Sequence, residues 1–196
     1  GAKNDMKISN AYVLHDKIFV PSVAEQKKIT LFLNTLDKKI EQLKEKKSLL
    51  EEYKKGIMQK IFSQELRFKD DNGKDFPKWI NKKLSERASF FSGGTPLTTK
   101  KEFYDGNIPF IKSGEINKNK TEQFISEEAL KSSSSKMVKK GDLLYALYGA
   151  TSGEVSISKI NGAINQAVLC ITSEIFNKVY LLNYLQFQKV AIVEKY

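Results

Sequence analysis

Ser22–Phe62 reads SVAEQKKITLFLNTLDKKIEQLKEKKSLLEEYKKGIMQKIF, and its apolar spacing decides the architecture. Ile29, Leu33, Leu36, Ile40, Leu43, Leu50, Ile57 and Ile61 fall on a ladder whose gaps alternate between four and three residues. Lys47 and Lys54 stand at the two rungs that lack an apolar side chain. That is a heptad seam, the pattern that keeps one stripe of a helix facing a partner helix. Ser22 is placed to cap the first turn, and Glu25 completes an S-x-x-E capping box. A single helix over residues 21–63 would run roughly 60 Å at a rise of 1.5 Å per residue. A stripe that long has to be covered, so these eight side chains are predicted to pack against another helix, in a scaffold or a dimer. Gly56 interrupts good helix formers at a cost of about 1 kcal/mol relative to Ala.

On either side the texture changes. Tyr12–Val20 reads as a short extended run within residues 1–20. After the helix, RFKDDNGKDFPKW (Arg67–Trp79) is polar, with a turn at Asp71-Asn72-Gly73 and a breaker at Pro77, so residues 64–78 are predicted to be a linker. Residues 79–196 alternate short apolar runs with glycine- and hydroxyl-rich loops. Lys83–Phe91 fits a short helix or a strand. Asn107–Lys112 reads as an edge strand because of Pro109. Thr121–Ser135 reads as a helical turn followed by a serine-rich loop. Asp142–Tyr148, Val155–Ile160 and Ala163–Ile171 read as strands. Asn177–Glu194 returns to helical spacing. The predicted class is therefore α+β: a long coiled-coil-forming helix, then a compact α/β domain of short strands, loops and a closing helix.

Charge narrows the partners. Lys and Arg number 33 against 23 Asp and Glu, giving a formal net charge of +10. Residues 22–63 carry ten Lys against six acids, and residues 79–196 carry fifteen Lys and one Arg against eleven acids, so the excess is spread over helix and domain. Such a spread favours a polyanion that follows a surface, nucleic acid before a membrane. A membrane patch would concentrate its charge on one amphipathic face. A lone cysteine, Cys170, excludes an internal disulfide and fits a reducing cytoplasm.

The chemistry of catalysis is sparse. His15 and Cys170 are the sole His and Cys, so no metal cluster of those ligands is predicted. His15 reads as a surface or packing residue and Cys170 as core. SGG and YGATSG match neither a phosphate loop nor a dinucleotide fingerprint. Glu127-Glu128 lies in a solvated stretch, a weak basis for acid–base work. No cofactor is predicted for this chain.

The loops suit another task. Base edges are read by short donors and acceptors at fixed geometry, while Lys and Arg neutralise phosphates. Ser92, Gly93, Gly94, Thr95, Thr98, Thr99, Lys100 and Lys101 form one such set. Lys112, Ser113 and Glu115 form a second; Tyr145, Tyr148, Thr151, Ser152 and Glu154 a third. Asn165 and Gln166 form a fourth, with amides that pair well with adenine edges. Gly114, Gly149 and Gly153, like Gly93 and Gly94, let backbone come close to a duplex. The plainer reading of the same residues is ordinary turn chemistry.

Here a family resemblance enters. Pro21–Ile29 carries P-x-x-x-E-Q-x-x-I, Leu36–Ile40 carries L-D-x-x-I and Lys55–Phe62 carries K-x-x-x-Q-x-I-F. Together they resemble the long helical region of the specificity subunits of type I restriction–modification systems. The second half resembles a target recognition domain of the same family. It carries W-x-x-x-x-L from Trp79, SGGTP at 92–96, YDGNIPFIKSGEI at 104–116, KGDLL at 140–144, GATSG at 149–153 and INQAV at 164–168. The likeness covers nearly all of the chain.

The resemblance implies a non-catalytic reader of double-stranded DNA. Each of two recognition domains would read one half of a split site, with antiparallel helices as spacer. Methylation subunits would bind S-adenosylmethionine, and restriction subunits would join through them. Residues 1–20 would then be the end of a preceding recognition domain, 21–63 the spacer or dimerisation helix, and 79–196 the second recognition domain. A first recognition domain and a second copy of the spacer helix are not found in this sequence. The seam is therefore expected to meet a second copy of the chain or a neighbour. Two alternatives stay open: a coiled-coil scaffold with a protein-binding domain, and the recognition part of a fused modification–restriction enzyme.

Overall fold

The computed structural model describes residues 10–15 and 17–195. The chain divides into two compact units, residues 1–53 and 54–196.

In the first unit, helix α1 (Asn10–His15) is followed by irregular chain and by the start of helix α2 (Val23–Phe62), whose 40 residues form a single element. The predicted extended run is thus helical at its described beginning and irregular from Lys17 onward. A strand is stable only beside a partner, and among the described residues none pairs with this run. His15 is exposed. The start of α2 follows its capping signal: the Glu25 amide donates to Ser22 Oγ at 3.3 Å, and Gln26 Nε2 donates to the Pro21 carbonyl at 2.8 Å. No residue of α2 is buried. Ile29, Leu33, Leu36, Ile40, Leu43 and Leu50 are all exposed, while Ile57 and Ile61, which belong to the second unit, are half-buried.

The second unit holds two four-stranded sheets. One is antiparallel, in the order β1 (Ser89–Ser92), β8 (Val168–Thr172), β5 (Leu143–Ala146), β6 (Val155–Ile157). The other is mixed, in the order β3 (Phe124–Ile125), β2 (Ile108–Ile111), β7 (Gly162–Ile164), β4 (Lys136–Val138), with β2 and β7 parallel. Strand β5 shows how the layers are built. Its alternate side chains point to opposite faces. Leu144 and Ala146 join Ile111, Ile164, Val168 and Cys170 in a core drawn from both sheets. Leu143 and Tyr145 face the other way, into a cluster completed by Leu181 and Leu185 of helix α4 (Lys178–Val193). On the far side of the mixed sheet, Phe110 and Ala163 pack with Phe103 and with Ala129 of the short helix α3 (Glu127–Ser132).

Two sequence expectations are corrected. Pro109 sits in an interior strand, not at an edge, because β2 pairs on both sides. The ladder to β7 begins at Phe110, so the missing proline N–H interrupts none of its registered pairs. Ala163–Ile171 is not one strand but parts of two, β7 and β8, in different sheets, with Asn165-Gln166-Ala167 as the crossing. Both strands are buried and apolar, so periodicity did not show the break. Residues 64–78 hold no helix or strand but carry local contacts. The Arg67 guanidinium donates to the carbonyls of Phe76 and Pro77 and lies 6.0 Å from the Trp79 ring centroid, while Lys69 bridges to Asp75 around the Asp70 turn.

Candidate nucleic-acid interface

The crossing from β7 to β8 organises the site. Asn165 Oδ1 accepts from the Ala167 amide at 3.1 Å and closes the turn. The Asn165 carbonyl accepts from Gly93 N at 3.2 Å, which ties in the loop after β1. That contact requires glycine: a Cβ on Gly93 would lie 1.7 Å from the Ile164 carbonyl oxygen. Gly94 is buried, and its carbonyl accepts from Ser135 Oγ at 2.6 Å. Thr95 Oγ1 then donates to Gln166 Oε1 at 2.7 Å, a side-chain bond across 71 residues of sequence. The first and fourth predicted sets are therefore one surface.

The second and third sets adjoin it. Thr95, Thr98, Lys101, Lys112 and Asn165 line a cleft of about 460 Å³. The Leu147 amide donates to the Ala167 carbonyl at 2.8 Å, placing the start of the loop after β5 beside the crossing. A Cβ on Gly149 would lie 3.9 Å from Ser113 Oγ, so the loops at 113 and 149 are neighbours, and the φ of +92° at Gly149 suits only glycine. Ser92, Thr95, Thr98, Thr99, Lys100, Lys101, Tyr148 and Gln166 are exposed; Lys112, Ser113, Thr151, Ser152 and Asn165 are half-buried. Lys100 holds its ammonium 4.6 Å from the Phe103 ring centroid.

Three predicted residues have other work. Glu115 is buried, and its carboxylate accepts from the amides of Lys112 at 3.2 Å and Glu122 at 2.9 Å, so it fixes the turn that carries Lys112. Tyr145 packs in the cluster under α4, and burial pushes its phenol up, opposed by the charge of Lys189. Glu154 pairs with Lys189 on α4. None of the three lines the cleft.

The cleft has three walls that sequence reasoning missed: Tyr104, Phe110 and Gln123. Tyr104 donates to the Pro96 carbonyl at 2.7 Å, and burial raises its phenol above the ordinary value. Gln123 precedes β3, a two-residue strand that no periodicity could mark. Among the described residues no group of three or more His, Cys, Asp or Glu gathers as metal ligands. The surface offers hydroxyls, amides and ammonium groups, the chemistry of hydrogen bonding to base edges and neutralising phosphates.

Comparison with known proteins bears on the family and the fold. The sequence model of the type I restriction modification DNA specificity domain matches residues 77–195. In fold, the chain is similar to the type I restriction–modification system S subunit from M. genitalium, at TM-score 0.62 and 16% identity, over 90% of this chain and 45% of that one. It is also similar to a chain from a structural study of complex assembly and conformational transition of the type I R-M system, at TM-score 0.52 and 17% identity, over 88% and 43%. The HsdS subunit from Thermoanaerobacter tengcongensis matches at TM-score 0.50 and 16% identity, again over 88% and 43%. The chain thus spans less than half the length of each of these structures. A long helix followed by a compact domain of short strands and a closing helix is the shared architecture, and the match over residues 77–195 places the chain in the family of type I restriction modification DNA specificity domains.

Proposed function

We propose that this chain reads one half of a bipartite double-stranded DNA site and directs methylation subunits, and through them restriction subunits, to it. The observation that carries this reading is that residues of the first, second and fourth loop sets line one cleft beside Lys101 and Lys112, with the loop after β5 adjoining it, on a domain of the DNA specificity family. Lysines neutralise phosphates, and threonine, serine and amide side chains read base edges in the major groove. The chain itself is non-catalytic in this reading, and S-adenosylmethionine belongs to the methylation subunits. The assembly works in the cytoplasm; among the described residues no helix is long and apolar enough to cross a membrane. The seam from Ile29 to Leu50 packs antiparallel on a second copy or a neighbouring helix. Sedimentation that shows only monomer at high concentration, alone and with the methylation subunits, overturns that part.

Exchange of residues 79–196 between complete assemblies tests the main claim: the methylated sequence should change with the exchanged domain, and an unchanged sequence overturns it. Salt supplies a second test. Lys101→Ala and Lys112→Ala should each flatten the dependence of log affinity on log salt by about one and weaken all duplexes alike. Flat salt dependence in the unmodified protein would favour a protein-binding scaffold instead.

A further inference from the structure

We infer that Gln166 reads an adenine edge and that Thr95 is its positioning residue; this rests on the DNA-reading role proposed above. Gln166 stands at the apex of the crossing between sheets. The chain is fixed on both sides of it, since Ile164 and Val168, each two residues away, are fully buried. Thr95 is held just as firmly. Before it, buried Gly94 is bonded to Ser135 Oγ; after it, Pro96 is buried and its carbonyl accepts from Tyr104. The 2.7 Å bond from Thr95 Oγ1 to Gln166 Oε1 therefore joins two rigid posts through one flexible side chain.

That bond uses one lone pair of Oε1. Among the described residues the Gln166 side chain makes no other hydrogen bond, so its second Oε1 lone pair and both Nε2 hydrogens remain for a ligand. An acceptor and a donor side by side on an exposed, restrained amide match the N6 amino group and N7 of adenine in the major groove. Asn165 is less suited to the task, because its Oδ1 closes its own turn. Restraint matters because a free glutamine on a surface must lose several rotamers on binding, and ordering it in advance sharpens the choice of base.

The test selects bound sequences from a randomised duplex pool, using the full-length protein in its assembly. The unmodified protein should enrich adenine at one position of the half-site. Gln166→Ala should reduce that preference tenfold or more at that position alone. Gln166→Glu, which leaves acceptors only, should move the preference toward cytosine. Thr95→Val should relax the same position several-fold, with the other positions and the salt dependence unchanged, and Thr95→Ser should restore it. If a motif is enriched but Gln166→Ala and Thr95→Val share no affected position, the inference fails while DNA reading stands. A base other than adenine at the shared position overturns the adenine assignment. Enrichment of no motif by the unmodified protein would sink the underlying DNA-reading role itself.

Discussion

Leu36 and Leu144 are the same residue type in the same chain, yet Leu36 keeps 45% of its surface exposed and Leu144 keeps none. Leu144 lies in β5, where one face is closed by the mixed sheet and the other by α4, so its side chain has packing partners in its own unit. Leu36 lies on α2, which buries no residue in the chain. The heptad spacing around Leu36 is nevertheless regular. Apolar regularity therefore records where a surface is meant to be covered, whereas burial records whether the covering element is present in the same unit. Most of a helix's stability in a protein comes from tertiary packing of its apolar face, so the two regions should differ in what holds them.

Substitution at the two leucines gives the widest separation. Leu144→Ala should lower the unfolding free energy of the domain by about 2–5 kcal/mol, the cost of a cavity in a closed core. Leu36→Ala in dilute protein should change the same unfolding free energy by no more than about 0.5 kcal/mol, since it lies on a helix with no buried residue. At high concentration Leu36→Ala should instead weaken any association through the seam. Equal effects in dilute solution would break the comparison.

Cys170 sharpens the domain side by pH. Burial, then the nearby Asp142 carboxylate, push its thiol from an ordinary 9.0 up to about 11, with Lys178 pulling the other way. The folded value lies above the unfolded one, so the neutral thiol's contribution is complete below about pH 9 and is lost as pH climbs toward about 11. The loss over that window is about 2–3 kcal/mol. Cys170→Ala should show a shallower fall in stability between those pH values than the unmodified domain, measured by urea unfolding.

One substitution type should change sign within the second unit, between the end of α2 and the sheets. A Cβ on Gly93 meets the Ile164 carbonyl at 1.7 Å, whereas a Cβ on Gly56 in α2 meets nothing within 4 Å. Gly93→Ala should destabilise the domain by about 1–3 kcal/mol, because backbone has to move. Gly56→Ala should stabilise the helix by about 0.5–1 kcal/mol. Thermal melts followed at helical and near-ultraviolet wavelengths separate the two.

The same contrast explains what the sequence made legible. The helix bounds, the closing helix, buried Cys170 and the α+β class all follow from patterns local in sequence. The loop clustering was visible as chemistry but not as geometry, because Thr95 and Gln166 meet across 71 residues. The local bonding of Glu115, Tyr145 and Glu154 was not visible, because polar residue types beside glycines resemble one another, whatever they bond. Their partners, the amides of Lys112 and Glu122, the α4 cluster and Lys189, come from other elements. The edge placement of Pro109 failed for a related reason: a proline reports a missing donor, not how many strands flank it.

The smallest effect returns to the seam. Lys47 stands where the heptad would place an apolar side chain, and its ammonium lies 3.6 Å from Glu51, with the pair 76% and 67% exposed. An exposed pair of this kind contributes about 0.3–0.5 kcal/mol, and lysine preceding glutamate is the weaker order along a helix. Lys47→Leu should therefore change helicity of the dilute chain by no more than that amount, read by circular dichroism at low and high salt. The same change extends the apolar seam by one rung, so sedimentation should show tighter association if the stripe is covered by a helix of the same kind. A loss of helicity far above the pair's worth would mean that Lys47 supports α2 on its own. Association no tighter than before would mean that the partner leaves this rung open to water, where lysine belongs.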